Sequence, residues 1–223
     1  MMTPTVKICG LSTALTLDAA LDAGADMVGF VFFPKSPRHI DWATAHALGR
    51  QARGRAKIVA LSVDADDDTL KRIVEALAPD LMQLHGQETP ARVKQIGELC
   101  ARPAMKAIGV AARADLAAAE AYAGVADTLL IDAKPPKGAA LPGGNGRPFD
   151  WSLTRDFRAP VPWLLSGGLD PDTVAAAIAL SGARGVDVSS GVERAPGVKD
   201  PAKIRAFVAA ARRAFARDVV GVE

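Results

Sequence analysis

The chain has 223 residues, and 49% of them are hydrophobic, which is enough to build a substantial core and argues against a disordered protein. The formal net charge is only +2 and the basic residues are scattered, so the sequence lacks the positive footprint of a nucleic-acid-binding protein. With only two cysteines, Cys9 and Cys100, it offers neither a disulfide framework nor a zinc site of clustered thiolates.

Short apolar runs recur along the chain and predict β-strands. Several carry apolar residues on both alternating faces, as expected of strands that are covered by helices on one side and by a core on the other. The eight runs are residues 5–9, 27–33, 57–63, 81–85, 104–110, 127–132, 162–167 and 184–190.

Stretches of helical character separate these strands. The first, residues 13–24, ends in Gly24, a residue suited to a helix C-terminus. Three later helices are expected to begin at an oxygen-bearing N-cap that is followed by proline in the first helical position. This signal stands at Thr89-Pro90, Asp170-Pro171 and Asp200-Pro201, and the last helix is predicted over residues 201–217.

The spacing of the strands predicts the fold class. Most strands follow one another at about 22–30 residues, the length of one βα unit. Eight such units fit an α/β protein with a closed (β/α)₈ TIM barrel better than an open doubly wound sheet, and the glycines after the first strand lack the spacing of a dinucleotide-binding loop. We expect one domain over residues 1–223, with a long functional loop at residues 133–149.

The compartment and the partners follow from what the sequence lacks. No window reaches eighteen uninterrupted apolar residues, and the first residues lack the apolar run of a signal peptide. The scarcity of cysteine favours a reducing compartment. We therefore expect a cytoplasmic protein, a monomer or weak homodimer, with no membrane or nucleic-acid partner.

In a barrel of this kind the chemistry takes place where the C-terminal ends of the strands meet the following loops. Chemically capable residues stand at or after six of these ends, and another lies within the last strand. They are Cys9, Arg38, His85, Asp132, the Gly167-Gly168 pair, the Ser189-Ser190-Gly191 run, and Asp187 inside the eighth strand.

The glycine and serine loops after strands seven and eight predict a phosphate site. Glycine lets backbone N–H groups approach an anion closely, and serine adds a hydroxyl donor. Gly167 and Gly168 would form one wall, and Ser189, Ser190 and Gly191 the other. The alternative is that each loop is only a tight turn between a strand and a helix.

Cys9 and Asp132 are the candidates for proton transfer. An isolated cysteine is more often a small buried hydrophobe, an interpretation that suits Cys100, but Cys9 ends a strand at the functional rim. A thiol with an ordinary pKa of about 8.5 would need a cationic neighbour to act as a base at neutral pH. Burial favours a protonated carboxyl group, which suits Asp132 as a general acid; the alternative is a structural ion pair with Lys134 or an arginine.

Three further residues are candidates for substrate binding. The guanidinium group of Arg38 is suited to grip a carboxylate, although Arg38 could also be a solvated surface residue. His85 more often anchors a loop than takes part in catalysis. Asp187 could be a hydrogen-bond acceptor in the core or could support the site from behind.

Seven motifs together resemble the phosphoribosylanthranilate isomerase family of tryptophan biosynthesis. In chain order they read KICGL, GFVFFPKSPRHI, QLHGQE, LLIDAK, GGNGRPFDW, LSGGLDP and GVDVSSGVE, and the resemblance spans essentially the whole chain. One departure lies in strand three, where Ser62 stands in place of the bulky aromatic residue common in the family.

The resemblance implies a (β/α)₈ barrel that carries out an Amadori rearrangement of N-(5-phosphoribosyl)anthranilate. It implies that Cys9 is the general base, that Asp132 is the general acid and that Arg38 contacts the anthranilate carboxylate. The loops after strands seven and eight would take the phosphate of this small-molecule substrate. Since one acid and one base suffice, no metal or organic cofactor is expected.

Other functions remain open on the sequence. Another phosphate-binding barrel enzyme is possible, such as the aminoaldose isomerase of histidine biosynthesis, a sugar-phosphate epimerase or indole-glycerol-phosphate synthase. The epimerases generally require metal-binding histidines, and the three histidines here are scattered; the synthase requires a lysine and glutamates at strand ends. A non-catalytic phosphate-binding scaffold is the alternative from another class.

Overall fold

A computed structural model of the chain contains eight parallel strands that close into a barrel in the order of the sequence. The structure describes residues 3–135, 138, 143 and 148–220. Residues 218–220 are described by their backbone only. The strands are β1 (Thr5–Cys9), β2 (Met27–Phe32), β3 (Lys57–Ser62), β4 (Leu81–Leu84), β5 (Ala104–Val110), β6 (Thr128–Ala133), β7 (Trp163–Leu165) and β8 (Gly185–Val188). The predicted (β/α)₈ barrel is confirmed, and each of its eight strands overlaps the apolar run that predicted it.

Helices connect most of the strands on the outside of the barrel. They are α1 (Ala14–Asp22), α2 (Trp42–Ala52), α3 (Asp67–Leu77), α4 (Pro90–Cys100), α5 (Val174–Ser181) and α6 (Pro201–Val220). Between β5 and β6 the connection is a 3₁₀ helix, Arg113–Tyr122, and a shorter one, Trp151–Thr154, precedes β7. No helix in the described part of the chain is long and apolar enough to cross a membrane.

Two of the three predicted helix starts are confirmed. Thr89 caps α4, whose first residue is Pro90, and Asp200 accepts a hydrogen bond from the backbone of Ala202 at the start of α6. The prediction for Asp170-Pro171 was wrong, because α5 begins only at Val174. The carboxylate of Asp170 instead accepts from the backbone N–H and the hydroxyl group of Thr173, and so closes a turn that precedes the helix.

The barrel encloses its own apolar cluster, separate from the larger one between the sheet and the helices. The buried members of the enclosed cluster are each among the first three residues of their strands: Val59, Leu81, Met105, Leu130 and Leu164. Polar side chains follow later in the strands, such as Gln83 in β4 and Asp132 in β6. The interior is therefore apolar where the strands begin and polar toward the mouth where they end.

A small hairpin lies between β8 and α6. Its strands β9 (Glu193–Ala195) and β10 (Val198–Lys199) pair antiparallel, with an irregular register between Val198 and Lys199. A 3₁₀ turn, Ser190–Val192, connects β8 to this hairpin. The hairpin thus rises directly from the loop that the sequence assigns to phosphate binding.

Candidate active site

The mouth formed by the C-terminal ends of the strands brings the two proton-transfer candidates to the same end of the barrel. Cys9 is the last residue of β1, and Asp132 is the next-to-last residue of β6. In the closed barrel β7 and β8 lie between these two strands. The loops after β7 and β8 therefore stand between Cys9 and Asp132 along the rim.

Cys9 is held in a buried position with only 3% of its surface exposed. Burial raises the pKa of the Cys9 thiol; the positive charges of Lys7 and Lys199 oppose this rise without overcoming it, and the charge of Asp187 adds to it. Gly29 on the neighbouring strand makes room for the thiol, since a Cβ atom there would lie 2.9 Å from Sγ of Cys9. The cationic neighbours that a basic thiol requires are present, but the resting group is the neutral thiol.

Lys7 lies in the barrel interior two residues before Cys9. Its ammonium group donates a hydrogen bond to Asp187 at 2.8 Å, and the two residues are register partners on β1 and β8. Burial by itself lowers the pKa of Lys7, but the charges of Asp187 and Cys9 outweigh it, so the pKa lies above its ordinary value. Asp187 is thus the buried acceptor of an ion pair next to Cys9.

Asp132 contacts His85 rather than a lysine. Its Oδ1 accepts from the backbone N–H of Ala133 at 2.8 Å, and its Oδ2 lies 3.3 Å from Nε2 of His85. The predicted alternative, a pair with Lys134, was wrong, because Lys134 donates to Asp115 instead. One carboxylate oxygen of Asp132 is therefore tied to the backbone and the other faces an imidazole.

The imidazole of His85 is oriented in turn by Gln83, two residues earlier on β4. Nε2 of Gln83 lies 3.0 Å from Nδ1 of His85. Gln83 is fully buried, and its Oε1 has no hydrogen-bond partner among the described residues. Gln83, His85 and Asp132 thus form a chain of contacts from the barrel interior to the mouth.

Arg38 is buried and paired, so its interpretation as a solvated surface residue was wrong. Its Nε and Nη2 donate to the two carboxylate oxygens of Glu193 at 2.7 and 2.9 Å. Lys199 donates to the same carboxylate at 2.8 Å and also to the carbonyl oxygen of Ser189 at 2.8 Å. The hairpin thereby ties the loop after β2 to the loop after β8.

One carboxylate serves two cations in this cluster, and the pKa values follow from that. Burial by itself raises the pKa of Glu193, but the hydrogen bond from Arg38 and the charge of Lys199 outweigh it, so the pKa lies below its ordinary value. Burial lowers the pKa of Lys199 to about 8, although Glu193 opposes this. Glu193 therefore stays ionised at neutral pH, and Lys199 is the cation that loses its proton first.

The loops after β7 and β8 are in direct contact with each other. A Cβ atom on Gly191 would overlap the carbonyl oxygen of Leu169, so only glycine allows this approach. Gly167 and Gly168 have φ angles of +85° and +70°, the left-handed conformation that glycine adopts without strain. Together with Ser189 and Ser190 these backbones form a continuous small-residue rim that suits an anion.

The long loop after β6 reaches the same place. Residues 136, 137, 139–142 and 144–147 lie outside the described residues, so most of the predicted loop at 133–149 stays a prediction, as does the middle of the GGNGRPFDW motif. Gly143 is described, and a Cβ atom there would lie 2.9 Å from Oδ2 of Asp132 and closer still to Nε2 of His85. At Gly143 the loop backbone therefore covers the His85–Asp132 contact.

Sequence reasoning did not count four polar residues of the site among its candidates: Lys7, Gln83, Glu193 and Lys199. For Lys7 and Gln83 a signal existed, because each stands two residues before a predicted site residue and shares its face of the strand. For Glu193 and Lys199 no such periodicity was available. Within the described residues no group of three or more His, Cys, Asp or Glu side chains could hold a metal ion.

Comparison with known proteins agrees with this geometry. Residues 6–210 match the family model described as N-(5′phosphoribosyl)anthranilate (PRA) isomerase. The N-(5′-phosphoribosyl)anthranilate isomerase of Rhodopseudomonas palustris (strain BisA53) is 61% identical over 207 residues, which cover 93% of this chain and 95% of the relative. That of Nitrobacter winogradskyi is 60% identical over 209 residues, covering 94% of this chain and 93% of the relative.

Solved structures are similar over the same extent. The crystal structure of phosphoribosyl anthranilate isomerase from Thermotoga maritima has a TM-score of 0.84 at 33% identity and covers 95% of this chain and 100% of its own. A phosphoribosyl anthranilate isomerase in complex with reduced 1-(o-carboxyphenylamino)-1-deoxyribulose 5-phosphate has a TM-score of 0.81 at 32% identity, with the same coverage. The resemblance that the seven motifs carried is confirmed, and the chain belongs to the N-(5′-phosphoribosyl)anthranilate isomerase family.

Proposed function

We propose that this chain converts N-(5-phospho-β-D-ribosyl)anthranilate into 1-(2-carboxyphenylamino)-1-deoxy-D-ribulose 5-phosphate by general acid–base catalysis, in tryptophan biosynthesis. The observation that carries the proposal is the order around the rim, in which the loops after β7 and β8 stand between Cys9 and Asp132. A sugar phosphate anchored in those loops would lie with a thiol on one side and a carboxyl group on the other. The enzyme is then an aldose–ketose isomerase.

The acid step belongs to Asp132. Its Oδ1 accepts from the backbone of Ala133, which leaves Oδ2 to carry the proton. Transfer of that proton to the furanose ring oxygen breaks the bond between the ring oxygen and C1′, and the nitrogen lone pair forms the Schiff base. A positioned acid of this kind contributes about 10²–10⁴-fold to the rate.

The base step belongs to Cys9. The thiolate removes the proton from C2′, whose acidity the adjacent iminium raises, and the electron pair moves to give an enolamine that tautomerises to the ketone. Because burial raises the pKa of Cys9, only a fraction of the enzyme carries the thiolate at neutral pH. Lys7 and Lys199 supply the positive charge that favours this form. Acid and base suffice for the reaction, so we propose no metal or organic cofactor.

Binding of the substrate is divided between the two sides of the rim. Arg38 would bind the anthranilate carboxylate, with Glu193 holding the plane of the guanidinium group through two hydrogen bonds. Gly167, Gly168, Ser189, Ser190 and Gly191 would bind the phosphate through backbone N–H groups and hydroxyls. His85 would contact the ribose next to Asp132, whereas Asp187, already bonded to Lys7, would support Cys9 from below.

The proposal is tested by turnover with the purified chain. The wild type should consume phosphoribosylanthranilate without added metal, seen as loss of the anthranilate fluorescence. Cys9→Ala and Asp132→Asn should each lower kcat by at least about 10²-fold, while the matched control Cys100→Ala should leave it unchanged. Full activity of a Cys9→Ala/Asp132→Ala double variant would overturn the assigned roles, and a wild type that turns over only another sugar phosphate would overturn the function.

The remaining expectations concern the state of the protein in the cell. We propose that residues 1–223 form a single domain that acts in the cytoplasm as a monomer or weak homodimer, on a small phosphorylated substrate and without nucleic-acid or membrane partners. Sedimentation equilibrium across a concentration series would measure the assembly state. A tight dimer or a larger assembly would contradict this part of the proposal.

A further inference from the structure

Gln83 is a fully buried polar residue that the proposed reaction does not use directly. It lies on β4 in the barrel interior, and its Nε2 is 3.0 Å from Nδ1 of His85. Its other polar atom, Oε1, is buried and has no hydrogen-bond partner among the described residues. A buried carboxamide with a hydrogen bond at only one of its two ends costs folding free energy. Its contact with His85 is therefore the place to look for a functional reason.

The contact fixes the proton on the imidazole ring. A neutral imidazole has one nitrogen that donates and one that accepts. When Nε2 of Gln83 donates to Nδ1 of His85, the ring proton lies on Nε2 of His85, which points at Oδ2 of Asp132 across 3.3 Å. In that arrangement Asp132 accepts a hydrogen bond as a carboxylate, which is its state after it has given its proton away.

A half-turn of the terminal torsion of Gln83 reverses the arrangement. Oε1 then accepts from an Nδ1–H of His85, and Nε2 of His85 becomes an acceptor. Asp132 can now carry its proton on Oδ2 and donate it to the ring nitrogen while it waits for substrate, which is the state that a general acid needs. In the orientation that the structure shows, Oε1 has no partner among the described residues, so a half-turn breaks no hydrogen bond at that end of the carboxamide.

We propose that Gln83 is a positioning residue for the acid step: the orientation of its carboxamide selects the tautomer of His85 and thereby whether Asp132 faces a donor or an acceptor. The inference rests on the proposed role of Asp132 as the acid. Because Gln83 is 0% exposed, it acts through His85 and does not touch the substrate. Between the two states the Nε2–H bond of His85 breaks as its proton passes to Oδ2 of Asp132, and a proton from solvent forms the Nδ1–H bond. The proton that reaches the substrate then comes from Asp132.

The tautomer can be read directly by nitrogen NMR on protein labelled with ¹⁵N-histidine. The chain has three histidines, and His39 and His46 are exposed, so a His85→Asn variant identifies the His85 signals. Gln83→Met removes the hydrogen bond to His85 but keeps a side chain of similar size. Gln83→Glu keeps a side chain of the same length that can still accept a hydrogen bond. We expect Gln83→Met to move both ring-nitrogen signals of His85, and Gln83→Glu to place the proton on Nδ1.

Kinetics separate this role from a merely structural one. Gln83→Met should lower kcat about tenfold, within the contribution of a general acid, and change KM by less than about twofold. Gln83→Glu should retain more of kcat than Gln83→Met, because it still accepts from Nδ1. Ser62→Ala is the matched control, since the Ser62 hydroxyl is the other buried side-chain oxygen without a partner among the described residues. Only the backbone carbonyl of Ser62 contacts His85, by accepting from its backbone N–H, and that bond stays in the variant, so neither readout should change.

Two results would overturn the inference: unchanged His85 signals in Gln83→Met, or changed signals with an unchanged kcat. Thermal unfolding of each variant confirms that it is folded. If Gln83→Met does not fold, the position of the ring proton of His85 in Gln83→Glu decides by itself whether residue 83 controls the tautomer. The failure of the proposed function looks different. A wild type without turnover contradicts that function, while the His85 signals still decide whether Gln83 controls the tautomer.

Discussion

The ammonium group of Lys7 lies 2.8 Å from the carboxylate of Asp187 inside the barrel. Lys7 stands two residues before Cys9 on strand β1. Both side chains are almost completely buried. Such a pair loses its hydration on folding, so its two charges must compensate each other. Cys9, the proposed base, therefore lies next to a charge pair that is neutral overall, and the lysine of that pair is the member that favours the thiolate.

Removing one member of this pair should destabilise the protein strongly. Lys7→Met leaves Asp187 as an uncompensated buried charge, and we expect the free energy of unfolding to fall by about 3–5 kcal/mol. The double variant Lys7→Met/Asp187→Leu removes both charges and should regain most of that loss. Urea denaturation of the three proteins measures the effect. A double variant that is less stable than Lys7→Met would contradict this account.

The raised pKa of Cys9 predicts slow modification at neutral pH. The thiolate is the reactive form, so burial delays its appearance to a pH above the ordinary range of a thiol. In a Cys100→Ala background, iodoacetamide should react slowly at neutral pH and faster as the pH rises. Substrate should protect Cys9. Rapid alkylation at neutral pH would show that the positive charges outweigh burial.

Gly29 should be intolerant of even one methyl group. A Cβ atom there would lie 2.9 Å from Sγ and 3.2 Å from Cα of Cys9, so Gly29→Ala must displace the thiol that we propose as the base. We expect kcat to fall about 10²-fold, because misplacement by about 1 Å is sufficient for a loss of this size. The control is Gly97→Ala in α4, where the added Cβ atom meets Arg102 only at 3.7 Å.

Gly97→Ala should leave kcat unchanged and stabilise the protein by roughly 0.5–1 kcal/mol, because alanine loses less backbone entropy than glycine inside a helix. Thermal unfolding measures this increase. If both alanine variants lose activity equally, the close approach of Gly29 to Cys9 is not the cause.

Glu193 should make stability depend on pH on the acid side. Its folded pKa is below the ordinary value of 4.5, so it contributes stability that is present above that value and is lost as the pH falls through the lower folded pKa. Glu193→Gln should lower the free energy of unfolding at neutral pH by about 3–5 kcal/mol and make the loss between about pH 5 and pH 3 less steep.

The same variant should raise KM, because Arg38 loses the carboxylate that holds its guanidinium group in one plane. Urea denaturation across the pH range and steady-state kinetics measure the two effects. Equal acid dependence in Glu193→Gln and the wild type would show that Glu193 does not carry this part of the pH dependence.

Most of the barrel could be predicted because each strand is a compact apolar run and the spacing between runs is nearly constant. The connections were less predictable. Asp170-Pro171 carries the same signal as Thr89-Pro90, yet the carboxylate of Asp170 bonds to Thr173 and delays the helix to Val174. An oxygen-bearing residue followed by proline is compatible with a turn as well as with a helix start. Here the hydroxyl group of Thr173, three residues after Asp170, favours the turn.

The site was predictable in position but not in pairing. Cys9 and Asp132 follow from their places at strand ends, whereas the partner of Arg38 lies 155 residues away on the hairpin. Lys7 meets Asp187 only because the barrel closes between β1 and β8. Alternation along a strand says which side chains point inward, but the neighbour across the interior depends on closure and register, which no short stretch of sequence contains.

The hairpin of β9 and β10 has a consequence for engineering. Glu193 and Lys199 stand at the two ends of the hairpin. Glu193 accepts hydrogen bonds from Arg38, and Lys199 donates to the backbone carbonyl of Ser189. A designer who wished to move the proposed phosphate loop after β8 to a different scaffold would have to transfer residues 185–199 together. Moving the glycines and serines alone would leave the loop after β8 without the contacts from Glu193 and Lys199 that hold it in place.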